Sequence, residues 1–322
     1  MYKRQVERIQ ALLKKAGRSK PAGYYKGEYD FKRLCARDDL DIVYTATPWR
    51  WHTPVCVEAM SQGKHAATEV PAALTIEECW ELVETAEKTG RYCIQLENCC
   101  YDRFELMALN MLRGGLLGEP IYAECGYLHD VRGLIFAGSP RSNWWIKHVL
   151  RRNGDLYPTH GLGPVAQWLN INRGNRFERL VSMATRSCSL ELWAKEHLKP
   201  GDPRRDLKFA LGDVVTTLIR TYKGETIFVV YDIATPHPYS RKIMLQATRG
   251  KIRKYPTPLI HLDGKGESWE PFFEEYAKEW EHPLWRALSE EAKGGGHGGM
   301  DYIMNWRLIQ CLLKGEPPDM DA

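Results

Sequence analysis

The sequence predicts an α/β fold in which a partial doubly wound parallel sheet is followed by an α+β domain with an open, mainly antiparallel sheet. Between residues 42 and 96, short apolar runs alternate with helical segments, a pattern typical of parallel strands joined by right-handed crossovers. Beyond residue 180, strand-like runs follow one another across tight turns such as Lys223-Gly224, which indicates antiparallel pairing. We therefore predict two domains, residues 1–100 and residues 101–322.

The chain opens with a helical pattern. Val6, Ile9 and Leu12 recur at helical spacing, and Gly17 is a natural helix stop. A doubly wound domain is expected to open with a strand and a glycine-rich turn instead. We therefore expect that Met1 is not the native start and that the first strand and its turn are missing from this domain.

The elements that follow alternate as a doubly wound domain requires. Thr75 stands three residues before Glu78, which predicts a capping box at the start of a helix. Ligands of such sheets bind beyond the carboxyl ends of the strands, and this rule singles out residues 47–52, 69–71 and 97–98. The predicted elements are a short helix at 30–36, strands at 42–46, 66–69 and 92–96, and helices at 52–62 and 75–89.

The second domain is predicted to contain more strands than helices. A glycine-rich loop, residues 294–299, precedes its last helix, and Arg249-Gly250 is expected to form a second tight turn. Residues 155–169 are predicted to hold a turn followed by a helix, and two further helices are predicted at 104–112 and 300–313. The predicted strands cover 120–127, 180–185, 214–222, 226–233 and 242–247.

Composition excludes several classes of partner. The net charge of +4 is spread over 45 basic and 41 acidic residues, so neither nucleic acid nor a membrane surface is expected to bind. No apolar run reaches the roughly 18 residues of a membrane span. The nine cysteines are odd in number and irregularly spaced, which predicts neither a disulfide framework nor a metal site. Cellular location stays open, and a homo-oligomer is compatible with the sequence.

Two short motifs carry a resemblance to a known superfamily. Thr47-Pro48 followed by His52, and then Glu69-Val70-Pro71 after the next strand, resemble the glucose–fructose oxidoreductase and inositol dehydrogenase superfamily. Its members pair a nicotinamide-binding Rossmann domain with an open-sheet substrate domain. In its simple dehydrogenases the middle residue of the triplet is a lysine that serves the oxidised hydroxyl. Val70 cannot transfer a proton, which disfavours an ordinary dehydrogenase here.

Longer blocks resemble one branch, the NAD-dependent α-N-acetylgalactosaminidases. The most specific block is Tyr157-Pro158-Thr159-His160, and 238–241 and 296–302 add to it. The resemblance runs from about residue 6 to the end of the chain. It implies a tightly held NAD that is regenerated in each turnover, and a pocket for terminal α-N-acetylgalactosamine or a similar sugar, built largely from tyrosines.

The resemblance also assigns roles residue by residue. His160 is the implied acid/base, with Tyr157 beside it. Close relatives are expected to carry an arginine near position 145, where this chain has Trp144-Trp145 instead. The implied cofactor contacts are Trp49, His52, Glu69, Val70 and Asn98, and the implied sugar contacts are Tyr127, Trp145, Tyr157 and Tyr239.

The implied reaction is hydrolysis through oxidation at C3, elimination across C1–C2, addition of water and re-reduction. An ordinary glycosidase needs two opposed carboxylates, and the sequence alone assigns no such pair. Two alternatives stay open: an NAD(P)-dependent sugar dehydrogenase or epimerase of the same superfamily, and a catalytically silent protein that binds sugar or dinucleotide.

Overall fold

The computed structural model describes residues 2–321, with side chains from Val6 onward. The chain forms two compact units. The first extends to Leu96 and includes the segment that begins at Pro317, and the second runs from Glu97 to Glu316. The expectation about Met1 concerns a residue outside the described range.

The first unit contains a parallel sheet of three strands in the order β1-β2-β3. Its core is formed by small and branched side chains such as Val43, Val55 and Ala66. Thr75 caps α4 by accepting the backbone N–H of Glu78, as the capping-box pattern predicts. The elements are α1 (Tyr2–Lys15), α2 (Phe31–Cys35), β1 (Ile42–Thr45), α3 (His52–Ser61), β2 (His65–Thr68), α4 (Ile76–Thr89) and β3 (Cys93–Gln95).

The second unit is built on an eight-stranded sheet in the order β11-β10-β9-β8-β4-β7-β6-β5. All neighbouring pairs are antiparallel except β4 and β7, which run parallel. The predicted fold class, a parallel sheet followed by a mainly antiparallel one, is therefore confirmed. The strands are β4 (Pro120–Leu128), β5 (Phe177–Ala184), β6 (Val214–Thr221), β7 (Thr226–Asp232), β8 (Met244–Ala247), β9 (Gly250–Arg253), β10 (Leu259–Leu262) and β11 (Glu270–Pro271).

Helices flank this sheet, and several of them were not predicted. Helix α7 begins after Ser139, whose hydroxyl accepts the backbone N–H of Ser142, with Pro140 in the first turn. No helix among residues 2–321 is both long and apolar enough to span a bilayer. The helices are α5 (Arg103–Arg113), α6 (Arg132–Ile135), α7 (Pro140–Arg151), α8 (Thr159–Trp168), α9 (Ser189–His197), α10 (Glu274–Trp280), α11 (Pro283–Leu288) and α12 (Met300–Lys314).

Candidate active site

Glycine allows helix α8 to lie directly on strand β4. A Cβ added to Gly161 would stand 2.4 Å from the backbone nitrogen of Gly126 and 2.7 Å from its carbonyl oxygen. No side chain can occupy that space, because the atoms it would meet belong to the backbone. The close approach brings His160 on α8 to Tyr127 on β4, with ring centroids 5.5 Å apart.

His160 is held by a buried carboxylate. Its Nδ1 lies 2.8 Å and 3.0 Å from the two carboxylate oxygens of Glu97, a residue that is 1% exposed. Gly163 leaves the room that Glu97 occupies, since a Cβ there would stand 2.9 Å from the Glu97 Cγ. Burial opposes ionisation of Glu97, but the contact with His160 outweighs it, so the pKa of this carboxyl is lowered.

A hydrogen bond from Nδ1–H to a carboxylate fixes the histidine tautomer. With the proton of His160 on Nδ1, its Nε2 carries a lone pair and can accept a proton from a ligand. The side chain of His160 is 17% exposed, so solvent can reach the imidazole although Glu97 is buried. The arrangement is that of a general base oriented by an acid.

Aromatic rings surround His160. The Tyr157 ring lies 4.8 Å from the His160 ring and 5.0 Å from Tyr127, and Tyr239 lies 6.2 Å from Tyr127. The Tyr127 hydroxyl also contacts Nδ1 of His129 at 2.9 Å. Burial raises the pKa of Tyr127 to about 12, so its phenol stays protonated at neutral pH. The structure thus brings together four of the predicted residues, His160, Tyr157, Tyr127 and Tyr239.

Arg241, two residues after Tyr239, belongs to a buried ionic network that anchors this segment. Arg241 is 2% exposed and lies 2.7 Å from Asp102 and 3.0 Å from Glu105. Lys254 contacts the same two carboxylates at 2.6 Å and 2.8 Å. Two cations and two carboxylates balance in charge, which makes their burial tolerable. The network fixes the backbone from which Tyr239 extends.

A second histidine–carboxylate pair is hydrogen-bonded to the short 3-10 turn 98–101. Asn98 donates to Asp301 Oδ1 at 2.7 Å, and the other oxygen of Asp301 lies 2.7 Å from Nδ1 of His297. His297 is on the glycine-rich loop 294–299 and its side chain is 71% exposed. The sequence singled out this loop but assigned no role to His297, because a histidine in a glycine-rich loop carries no signal of its own.

The remaining predicted cofactor residues belong to the first unit. Trp49 and Val70 are buried there, while Glu69 at the carboxyl end of β2 is exposed. His52 is 1% exposed, and its Nδ1 and Nε2 lie 2.7 Å and 2.8 Å from the carbonyl oxygens of Pro71 and Thr47. Burial lowers the pKa of His52. Both ring nitrogens are engaged by backbone, so His52 links the loop after β1 to the loop after β2.

Trp145, a predicted sugar contact, is 3% exposed within helix α7. The guanidinium of Arg141, one turn earlier on the same helix face, lies over its ring at 5.2 Å from the centroid. The positive charge of Arg141 also counteracts the rise in the pKa of Tyr127. Arg141 therefore lies beside Trp145, and the sugar contact predicted for Trp145 stays a prediction.

The chain matches two known protein families. Residues 101–322 match the family described as glycosyl hydrolase 109, C-terminal domain, and residues 2–96 match the oxidoreductase family with an NAD-binding Rossmann fold. A glycosyl hydrolase family 109 protein of Solibacter usitatus is 48% identical over 99% of this chain and 74% of its own length. An alpha-N-acetylgalactosaminidase of Shewanella oneidensis is 44% identical over 98% of this chain and 70% of its own length.

Solved structures share the fold at lower identity. An inositol dehydrogenase homolog from Azotobacter vinelandii, complexed with NADH and myo-inositol, superposes with a TM-score of 0.64 at 20% identity, covering 97% of this chain and 80% of that one. An aldose-aldose oxidoreductase from Caulobacter crescentus complexed with glycerol gives 0.66 at 18% identity, covering 98% and 81%. The predicted resemblance and the predicted NAD cofactor are confirmed.

Proposed function

The chain belongs to glycosyl hydrolase family 109, and from this premise we propose that it hydrolyses terminal α-N-acetylgalactosaminides, or glycosides of a similar sugar, with NAD as a recycled cofactor. The observation that carries the proposal is the His160–Glu97 pair, with Nδ1 at 2.8 Å from the carboxylate, enclosed by tyrosine rings. Aromatic faces and hydroxyls are suited to a sugar, and an oriented imidazole is suited to moving a proton.

The first unit has exposed groups that fit a dinucleotide. At the carboxyl ends of its parallel strands it offers the exposed carboxylate of Glu69 and the partly exposed indole of Trp51, which can meet ribose hydroxyls and flat rings. NAD, when bound, supplies an acceptor for the hydride of sugar C3 and later returns that hydride. We keep as its proposed contacts Trp49, His52, Glu69, Val70 and Asn98.

With C3 at the ketone level, the C2 proton is α to a carbonyl and acidic. His160 Nε2 accepts this proton, while Glu97 stabilises the imidazolium that results. The C1–O bond then breaks, and the electron pair from C2–H forms the C1–C2 double bond. Tyr157 and Tyr127 flank the imidazole and restrict the orientation of the sugar ring.

The departing oxygen needs a proton, and we assign this to His297. Its Nδ1 is held by Asp301 at 2.7 Å, and its exposed side chain lies on a glycine loop. After elimination, water adds to C1 of the enone, and His160 returns a proton to C2. Two histidine–carboxylate pairs thus divide the work that an ordinary glycosidase gives to two opposed carboxylates.

The test is hydrolysis of an aryl α-N-acetylgalactosaminide in D2O by the protein with its cofactor. We expect free sugar with deuterium at C2 and no net accumulation of NADH. Replacing His160 by Ala should slow release of sugar and C2 exchange together by about 10²–10⁴-fold. The matched control is His261→Ala, since His261 lies at the surface of β10 and bonds a backbone carbonyl.

Two results would contradict the proposal. Steady accumulation of NADH together with an oxidised free sugar would favour the dehydrogenase, which Val70 in the Glu-Val-Pro triplet disfavours. Full turnover per folded molecule in His160→Ala would remove His160 from the chemistry.

A further inference from the structure

A carboxylate, a thiol and the imidazole of His160 lie close together in the candidate site. One ligand atom each from Glu97, Cys99 and His160 lies within 4.8 Å of the other two. We propose that these side chains bind Zn²⁺, or another divalent cation that accepts sulfur, and that the bound ion inhibits the enzyme. The proposal goes beyond glycoside hydrolysis, since it concerns a binding equilibrium that exists without substrate.

The donor set and its geometry suit zinc. Zinc takes thiolate, imidazole and carboxylate ligands at about 2.0–2.3 Å, so tetrahedral neighbours stand roughly 3.3–3.6 Å apart. The Nδ1–carboxylate separation of 2.8 Å needs to open slightly, and the longest separation, which is at most 4.8 Å, needs to close by no more than roughly 1.5 Å. Rotation of the Cys99 and His160 side chains can supply movements of this size without a change in backbone.

The charges also balance. A carboxylate and a thiolate together carry the two negative charges that neutralise a divalent cation, which matters because Glu97 and Cys99 are 1% and 3% exposed. His160, with 17% of its side chain exposed, gives an ion access to the cluster. Three protein ligands leave a fourth position for water, the arrangement of an open rather than a closed zinc site.

Occupation of the site would stop proton transfer. An ion held by Glu97 and His160 displaces the proton that Nδ1 shares with the carboxylate. The imidazole is then a metal ligand and no longer a base with a fixed tautomer. Loss of activity that a chelator reverses is the expected consequence.

The binding test uses protein with its cofactor on a Cys79→Ser background, which removes an exposed thiol that would otherwise bind metal. Co²⁺ is added as a spectroscopic probe and Zn²⁺ is titrated by calorimetry. We expect one ion per chain and a sulfur-to-cobalt charge-transfer band that Zn²⁺ abolishes. Cys99→Ser should remove the band and weaken Zn²⁺ by more than the roughly 10- to 100-fold that loss of an outer-shell partner costs. Cys100 is a buried neighbour outside the cluster, so Cys100→Ser should retain both the band and the affinity for Zn²⁺.

Several outcomes overturn the proposal. They are the absence of saturable one-to-one binding, a one-to-one complex without the sulfur band, and a band that survives in Cys99→Ser. If Cys99→Ser does not fold, the spectrum of the Cys79→Ser protein decides alone. Because the band is measured without substrate, failure of glycoside hydrolysis would leave this test intact. In the activity arm, Zn²⁺ should inhibit the Cys100→Ser protein and spare whatever activity Cys99→Ser retains.

Discussion

Replacing Glu97 by glutamine removes one charge from beneath His160 while keeping the shape of the side chain. Oε1 accepts both the Cys99 backbone N–H at 3.0 Å and His160 Nδ1 at 2.8 Å, and Oε2 faces Nδ1 at 3.0 Å. A glutamine oxygen can keep the first two contacts, but its amide then directs hydrogens at a buried donor. We expect a loss of about 1.5–3 kcal/mol in the free energy of unfolding, the value of a hydrogen bond to a charged group.

The effect on catalysis should be larger than the effect on folding. Without the carboxylate, the imidazolium formed on proton transfer is not stabilised and the tautomer is not fixed, so we expect C2 exchange and glycoside cleavage to fall together by about 10²–10⁴-fold. The assay measures both in D2O per folded molecule, with folding followed by urea titration. Glu124→Gln is the matched control, because Glu124, on strand β4, forms a partly exposed ion pair with Lys242.

The pH dependence gives an independent check. The pKa of Glu97 is lowered in the folded chain, so its contribution to stability is present above its ordinary value of 4.5 and is lost as pH falls through the folded pKa. The stability difference between Glu97→Gln and the parent should therefore shrink in acid. Unchanged turnover in Glu97→Gln, or cleavage that falls while C2 exchange persists, would refute the assignment of the pair as the C2 base.

Three further predictions concern the surroundings of the pair. Gly161→Ala places a Cβ 2.4 Å from the backbone of Gly126 and should cost about 1–3 kcal/mol or more by urea unfolding, whereas Gly154→Ala, with no atom within 4 Å, should be nearly neutral. Burial raises the pKa of Asp155 from 3.8 to about 7, so its contribution to stability is lost between those pH values as pH rises. Asp155→Asn should therefore gain on the parent between about pH 4 and pH 7 in the same assay, and a constant difference over that range would contradict it. Because the charge of Arg141 acts on the Tyr127 phenol, Arg141→Met should lower kcat/KM for the glycoside with little change in unfolding free energy, and an unaltered kcat/KM would show that this charge does not serve the reaction.

Much of the fold was accessible from sequence because it is locally encoded. Strand β1 and helices α3 and α4 follow from continuous apolar runs, helical spacing and the Thr75 cap. The parallel pairing of β4 with β7 was not predicted, because it joins strands about a hundred residues apart. Helix α7 was not predicted, although Ser139 and Pro140 supply a start signal. The tryptophans and cationic residues that follow do not form a clear apolar helical pattern.

The site was accessible only in part. The residues of the Tyr-Pro-Thr-His block are contiguous, so a motif could identify them. The contact of Glu97 with His160 spans 63 residues and depends on Gly161 and Gly163 allowing α8 to come close. Spacing along a chain does not encode such an approach. The burial of Trp145 beneath Arg141 has the same origin, since it is decided by which face of α7 packs inward.

The hydrogen bond between Asn98 and Asp301 joins residues 203 positions apart, and this has a consequence for synthesis on the ribosome. While the nascent chain grows, Glu97 can meet His160 as soon as α8 has emerged, but Asn98 must wait for helix α12. At roughly 5–20 residues per second, that wait lasts on the order of ten seconds or more. During this interval the first histidine pair can assemble while the second cannot. Incomplete chains are therefore expected to lack the His297–Asp301 pair, so a stalled or prematurely released product would lack the group that we propose as the proton donor for the departing oxygen.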